Sequence, residues 1–288
     1  MKEKSIVPYL FVAPYIIHFL VFVSFPVIFS FILMFNQWNI ISPMKFAGLQ
    51  NFYRLSHDTQ FFQAVLNTII FLVIHIPLQI IVALFFAVML NQRVRFLGFF
   101  RAAYFMPVIV SGVVVTILWQ QLYGFESGLL NRGLSALGLG KVGWLVDPNA
   151  AMPSIAIMAT WKNVGLYIVL FLVGLQTVPQ YLYEAAELEG ANAWQKFIHV
   201  TFPMINPTFF LVLVLSTIGG FSLFIEPYVM TGGGPLNSTL SAVLYIYKQG
   251  FFYYHMGYAS TLGFFFAGII LLVIIIQKKY VEKENIRG

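Results

Sequence analysis

The chain has 288 residues, of which 60% are hydrophobic and 9% charged, with a net charge of +6 and a mean hydropathy of +0.85. Soluble proteins carry about 25% charged residues, so the composition excludes a soluble domain and places the chain in the membrane class. The basic residues flank apolar runs and form no single patch, which excludes a nucleic-acid surface, and the absence of cysteine excludes disulfides, thiolate metal sites and a cysteine nucleophile.

The predicted elements are six apolar spans, each near the ~20 residues a bilayer crossing requires. The first covers residues 9–35. It is longer than a signal-peptide core and ends in no small-x-small cleavage site, so it reads as a span rather than a cleaved leader. The second is 65–90, the third 106–122, the fourth 152–175, the fifth 207–229 and the sixth 258–277. The loops 36–64, 123–151 and 230–257 are rich in Gly, Asn and aromatics and too short for domains of their own. The expectation is an all-α membrane protein, residues 1–288 forming one transmembrane domain without internal repeats.

Lysine and arginine set the orientation. Lys2, Lys4, Arg93, Arg95, Arg101, Lys196, Lys278, Lys279, Lys283 and Arg287 lie on the side of the chain ends; Lys45, Arg54, Arg132, Lys141 and Lys248 lie on the other. Ten against five predicts cytoplasmic termini, and with them a cytoplasmic 178–207 stretch.

No catalytic constellation appears. The histidines (His18, His57, His75, His199, His255) are scattered, without the spacing of a helical metal pair. His75 lies inside the second span, where the plain alternative to a functional role is a hydrogen bond to a neighbouring helix. Gly138-Leu139-Gly140-Lys141 imitates a phosphate loop, but Ser135 and Val142 stand where its glycine and hydroxyl are needed. If solute is moved with ATP, the ATPase is another chain. In the fourth span Trp161-Lys162-Asn163 places a lysine about 15 Å below the surface. Its burial in lipid costs on the order of 3 kcal/mol, so it should face a cavity, a partner helix or a carboxylate. Glu226, near the outer end of the fifth span, is the obvious acid, but the two differ in depth by about 10 Å, which leaves a direct pair open. Lys162 is then either a helix-packing or snorkelling residue or, with Trp161, Asn163, Glu226 and Tyr228, part of a solute path. Thr231-Gly232-Gly233-Gly234-Pro235 after the fifth span reads as a compact turn, or as backbone that another group must approach closely.

The stretch from Val178 to Pro207 is more than a connecting loop. Pro179 opens a helix over Tyr181–Glu189 that stops at Gly190, and Asn192 with Gln195 forms the pattern of a capping box for a second helix reaching about His199. A helical hairpin resting on the headgroups is the plain alternative, but Glu184, Glu187 and Glu189 would be repelled by an anionic leaflet. A docking surface for a soluble partner fits them better.

These residues carry a resemblance. Glu184-Ala185-Ala186-Glu187-Leu188-Glu189-Gly190, followed by Ile198 and Phe202-Pro203, resembles the E-A-A-x-x-x-G loop with its I-x-x-x-P continuation in permease subunits of bacterial ABC importers, sugar-uptake branch. Glu189 and Phe202 depart conservatively from that pattern. Phe46–Phe52, Asn67-Thr68, Phe99–Arg101, Gly128–Asn131, Trp161-Lys162, Gly174–Gln176 and Thr231–Pro235 extend the likeness over nearly the whole chain. The resemblance implies a cytoplasmic coupling helix between spans four and five, with Glu184, Ala185, Ala186, Glu187, Gly190 and Asn192 docking on an ATPase. It implies a second permease subunit as heterodimer partner, two ATPase subunits that use the ATP, and an extracytoplasmic solute-binding protein. The chain itself would hold no cofactor, no metal and no catalytic residue, and would sit in the bacterial inner membrane as a multi-pass protein. A secondary transporter would show repeats or charged ion sites at mid-membrane, and a membrane enzyme acids and histidines converging at one depth. Neither pattern is present in the sequence.

Overall fold

The structure, a computed structural model, describes residues 7–92 and 97–281. Six of the basic residues behind the orientation argument, Lys2, Lys4, Arg93, Arg95, Lys283 and Arg287, lie outside the described residues.

In chain order, α1 (Val7–Phe19) continues through a π-turn at Leu20–Ser24 into α2 (Phe25–Leu33). Two short antiparallel strands follow, β1 (Asn36–Gln37) and β2 (Lys45–Phe46), then α3 (Gln50–Ser56) and α4 (Thr59–Leu90). Next come α5 (Leu97–Ile109), α6 (Gly112–Leu122), α7 (Leu129–Ala136) and α8 (Pro148–Gln176). Between α8 and the next long helix lie α9 (Gln180–Leu188), α10 (Ala193–Lys196), a π-turn at Phe197–Thr201 and α11 (Phe202–Met204). The chain ends with α12 (Asn206–Phe221), α13 (Ile225–Met230), α14 (Ala242–Tyr247), a π-turn at Lys248–Phe252 and α15 (Met256–Val281).

Five segments among the described residues are long and apolar enough to cross a bilayer: Leu10–Leu33, Thr59–Leu90, Pro148–Gln176, Asn206–Met230 and Met256–Lys279. The second starts ahead of its predicted limit because Asp58 caps it, its Oδ1 accepting the Phe61 amide at 2.9 Å. Asp147 caps the fourth in the same way, by accepting the Asn149 amide at 2.9 Å.

Two spans depart from the straight helices expected. The predicted third span, 106–122, is divided between α5 and α6, which meet at 99°. Pro107 removes a helical donor, and Ser111 is extended (φ −50°, ψ 128°), so Gly112 begins a new helix. The predicted fifth span, 207–229, is interrupted at 222–224. There Ser222 turns its hydroxyl back to the Ile218 carbonyl at 3.0 Å, and the freed Leu223 carbonyl accepts the Ser241 hydroxyl at 2.6 Å. A third difference is local: the second helix of the 178–207 stretch does not stop before Pro203. The π-turn carries it on to Met204, and the Phe202 amide bonds the Phe197 carbonyl.

The described residues fall into two compact units, Met1–Phe61 with Tyr245–Gly268, and Phe62–Leu244 with Ile269–Gly288. In the first unit, side chains along Leu10–Ile32 are largely exposed, as suits a helix facing lipid. Asn51 pins the following loop by donating to the Met34 and Asn36 carbonyls at 2.9 and 3.0 Å. In the second unit, one face of α4 (Ile80, Ala83, Ala87, Leu90) meets Val164, Ile168, Phe171, Leu172 and Leu175 of α8 and Val212 of α12. These recur at helical spacing, and the two alanines let the backbones approach, which is how helices associate where lipid is as apolar as leucine.

Candidate functional site

Two places in the second unit gather the sequence candidates. The first is a 270 Å3 cavity among α4, α5, α8, α12 and α13. Lys162 from α8 and Glu226 from α13 meet there, Nζ donating to Oε1 at 2.9 Å, with side chains 15% and 10% exposed. Glu226 lies just past the break at 222–224, in the helix that restarts beyond Phe224, and reaches Lys162 directly. The direct pair that a ~10 Å difference in depth had left open is therefore formed. Gly112 serves the same contact: a Cβ there would lie 2.9 Å from Lys162 Nζ.

Around the pair stand Asn163, Tyr167, Ser216 and Ser222, together with His75. His75 Nδ1 is 2.8 Å from the Thr160 hydroxyl, and its ring stacks on Phe71 at 4.8 Å. That is the inter-helix hydrogen bond weighed as the plain alternative for a lone histidine. Trp161 and Tyr228 are not in the cavity wall. Trp161, one residue and ~100° of helix from Lys162, packs on Trp119 at 5.5 Å and borders an apolar groove instead. Tyr228 stacks on Phe224 at 5.3 Å. Sequence reasoning missed Tyr167, Ser216 and the buried Gln79, whose amide oxygen accepts the Ser216 hydroxyl. Polar residues within otherwise apolar spans were the available signal.

The second place is the α9–α10 hairpin. Pro179 sits one position earlier than expected, as the extended N-cap of α9 rather than its first residue. At the other end Gly190 has φ +79°. The Gly190 amide bonds the Glu187 carbonyl at 3.0 Å and the Ala191 amide that of Ala186 at 2.9 Å, a Schellman termination that favours glycine. Asn192 and Gln195 form the expected capping box, at 2.8 and 2.9 Å. Lys196 reaches back to Glu187 at 2.7 Å and ties the two helices together. Tyr183 and Val200 pack against the α4–α8–α12 core, and the Tyr183 hydroxyl is 2.9 Å from that of Thr201. The hairpin is therefore seated on the helix bundle. Its outward stripe is Tyr181, Glu184, Ala185 and Leu188, at i, i+3, i+4 and i+7, with Leu188 92% exposed. Of the sequence candidates, Glu184, Ala185, Glu187, Gly190 and Asn192 are exposed, while Ala186 is half-buried.

In the second unit, apolar helices enclose a charged pair and carry a capped polar hairpin on their core. The chain belongs to the family of binding-protein-dependent transport system inner membrane components, whose model matches residues 46–283. It is 38% identical to the arabinooligosaccharides transport system permease protein AraP of Bacillus subtilis (strain 168), over 96% of this chain and 89% of that protein. It is 37% identical to the lactose transport system permease protein LacF of Rhizobium radiobacter, over 93% and 91%. The fold is shared with a chain of the bacterial alginate ABC transporter solved in complex with an alginate pentasaccharide-bound periplasmic protein, at a TM-score of 0.82 and 24% identity, covering 98% and 96%.

Proposed function

We propose that the chain is the permease subunit of an ATP-driven ABC importer for a sugar or oligosaccharide. It acts with a second permease subunit, two ATPase subunits and an extracytoplasmic solute-binding protein. Family membership supports the transport role, and the carbohydrates named for AraP and LacF support the solute class. The cavity chemistry agrees with that class: Asn163, Tyr167, Ser216 and Ser222 offer hydroxyls and an amide, and the Lys162–Glu226 pair cancels its own charge.

The observation that carries the mechanism is the outward stripe of α9. Leu188 is almost fully exposed on a helix too short to be stable alone, yet capped at its end and seated by Tyr183. Such a helix fits a groove on a soluble ATPase. The hairpin then lies in the cytoplasm with both chain termini, and Lys196, Lys278 and Lys279 fall on that side. Closure of the ATPases on nucleotide draws the hairpin, and α8 and α12, which share its core, pass the movement to the cavity as rigid bodies. ATP and its chemistry belong to the partner.

Leu188→Glu tests this reading. The side chain has almost no contact within the chain, so folding and membrane insertion should be unchanged. Burying a leucine is worth about 1.5–3 kcal/mol, so ATPase retention should fall at least about tenfold. Normal ATPase retention and solute-stimulated hydrolysis in the reconstituted variant would remove the docking role of the hairpin.

A further inference from the structure

The first unit holds a recess of 670 Å3 that the transport mechanism does not use. It lies where the first apolar span ends at Leu33 and where the last, Met256–Lys279, begins, so by length and apolarity Gln37, Trp38, Gly257 and Tyr258 in its wall are at the level where these spans would leave the bilayer. That is the depth of lipid phosphates, where Trp and Tyr collect.

The recess carries two cations, neither held in a direct ion pair. Lys45 and Arg54 both line it, and neither has a carboxylate within ion-pair distance among the described residues. Asp58, just beyond the end of α3, is the nearby acid, but its oxygens are taken by other donors and it makes no ion pair with Arg54. Its Oδ1 accepts the Phe61 amide, and its Oδ2 accepts the hydroxyls of Tyr245 (2.7 Å) and Tyr258. The guanidinium is held in place all the same. Its carbon sits 3.9 Å over the Tyr258 ring, and Nη2 donates to Gln249 Oε1 at 3.3 Å. His255 is 3.4 Å from Nη2, and partial burial and then the Arg54 cation lower its pKa. A positioned guanidinium with donors to spare is a group that binds oxyanions.

The recess continues into the membrane. Trp38 meets Phe29 edge-on at 5.9 Å, and Phe29 stacks on Phe25, also at 5.9 Å. This aromatic ladder runs from the cationic end down the lipid-facing first span, the course an acyl chain would take.

We propose that the recess is a phosphate site for the headgroup of an anionic phospholipid. Arg54 is its main ligand, Lys45 its second cation, and Trp38, Tyr53 and Tyr254 its interfacial walls. The site anchors the first unit to the bilayer, separately from the solute cavity.

Native mass spectrometry of the full chain, purified with the partners that accompany it and titrated with phosphatidylglycerol, tests the proposal. Arg54→Gln should weaken phosphatidylglycerol binding by about tenfold or more, the loss of one charge-assisted contact. Lys45→Gln should weaken it by a smaller factor, and Arg132→Gln, in the second unit, should leave it unchanged. Arg54 also packs on Tyr258, so Lys45→Gln is the variant that reads binding without disturbing the fold. Wild-type affinity in Lys45→Gln overturns the proposal, as does equal weakening in Arg132→Gln. Glycerol 3-phosphate at millimolar concentration should not displace the lipid. Displacement would make the occupant a soluble phosphate and overturn the lipid assignment.

Discussion

Breaking the Lys162–Glu226 pair should separate stability from transport. The two groups are 2.9 Å apart and nearly buried, at 15% and 10% exposure. Removing one partner of such a pair leaves the other charge uncompensated and costs about 3–5 kcal/mol. Total stabilities are about 5–15 kcal/mol, so each of Lys162→Met and Glu226→Leu should markedly lower the temperature at which the solubilised protein is lost. The double variant removes both charges. Replacing a buried pair by apolar groups is often neutral, so the double variant should recover most of that loss. Heating followed by fluorescence-detected size exclusion measures all four proteins as one double-mutant cycle. Uptake in reconstituted vesicles gives the other axis. If the pair lines the solute path, the double variant should assemble as wild type yet transport slowly or with altered selectivity. A double variant as unstable as the sum of the singles would refute the pairing. One that is stable and transports with unchanged kinetics would reduce the pair to packing between α8 and α13.

Gly190→Val should strain the +79° backbone by about 1–2 kcal/mol. No atom lies within 4 Å of the added Cβ, so the protein should stay in the membrane while ATPase copurification falls. Asn192→Ala removes the capping box and should cost about 1 kcal/mol, read as faster proteolysis of the hairpin with membrane insertion unchanged. For topology, single cysteines are placed at exposed Leu139, Leu236 and Leu188. An impermeant reagent added outside should label the first two and spare the third, and outside labelling at Leu188 would overturn the proposed orientation.

The hairpin was legible in the sequence almost residue by residue, because its signals are local. A capping box needs only Asn192 and Gln195, and a Schellman end only Gly190 with the carbonyls just behind it. Most of the spans were equally legible, since length and apolarity are read from the chain without knowing its neighbours. Their ends were less so. Thr59 begins α4 because Asp58 caps it, and that carboxylate also serves Tyr245 and Tyr258, nearly 200 positions away in sequence.

The cavity was the least legible part, and the reason lies in what breaks its helices. Pro107 announces a disturbance in the third span, but proline is ordinary in membrane helices and does not say where the chain will bend. Gly219-Gly220 before Ser222 weaken the helix locally, but glycine too is ordinary in membrane helices and does not by itself mark a stop. The break needs Ser241, 19 residues on, to accept the task of satisfying the Leu223 carbonyl. In lipid an open backbone group survives only where such a partner or a polar cavity is at hand. The break and the cavity go together: Glu226, just past the interruption at 222–224, meets Lys162 in the cavity, and the Ser241 hydroxyl supplies the partner that the opened Leu223 carbonyl needs. Reading the cavity from sequence would have required treating Glu226 and Lys162 as a pair first, and then asking where the fifth span is interrupted beside them.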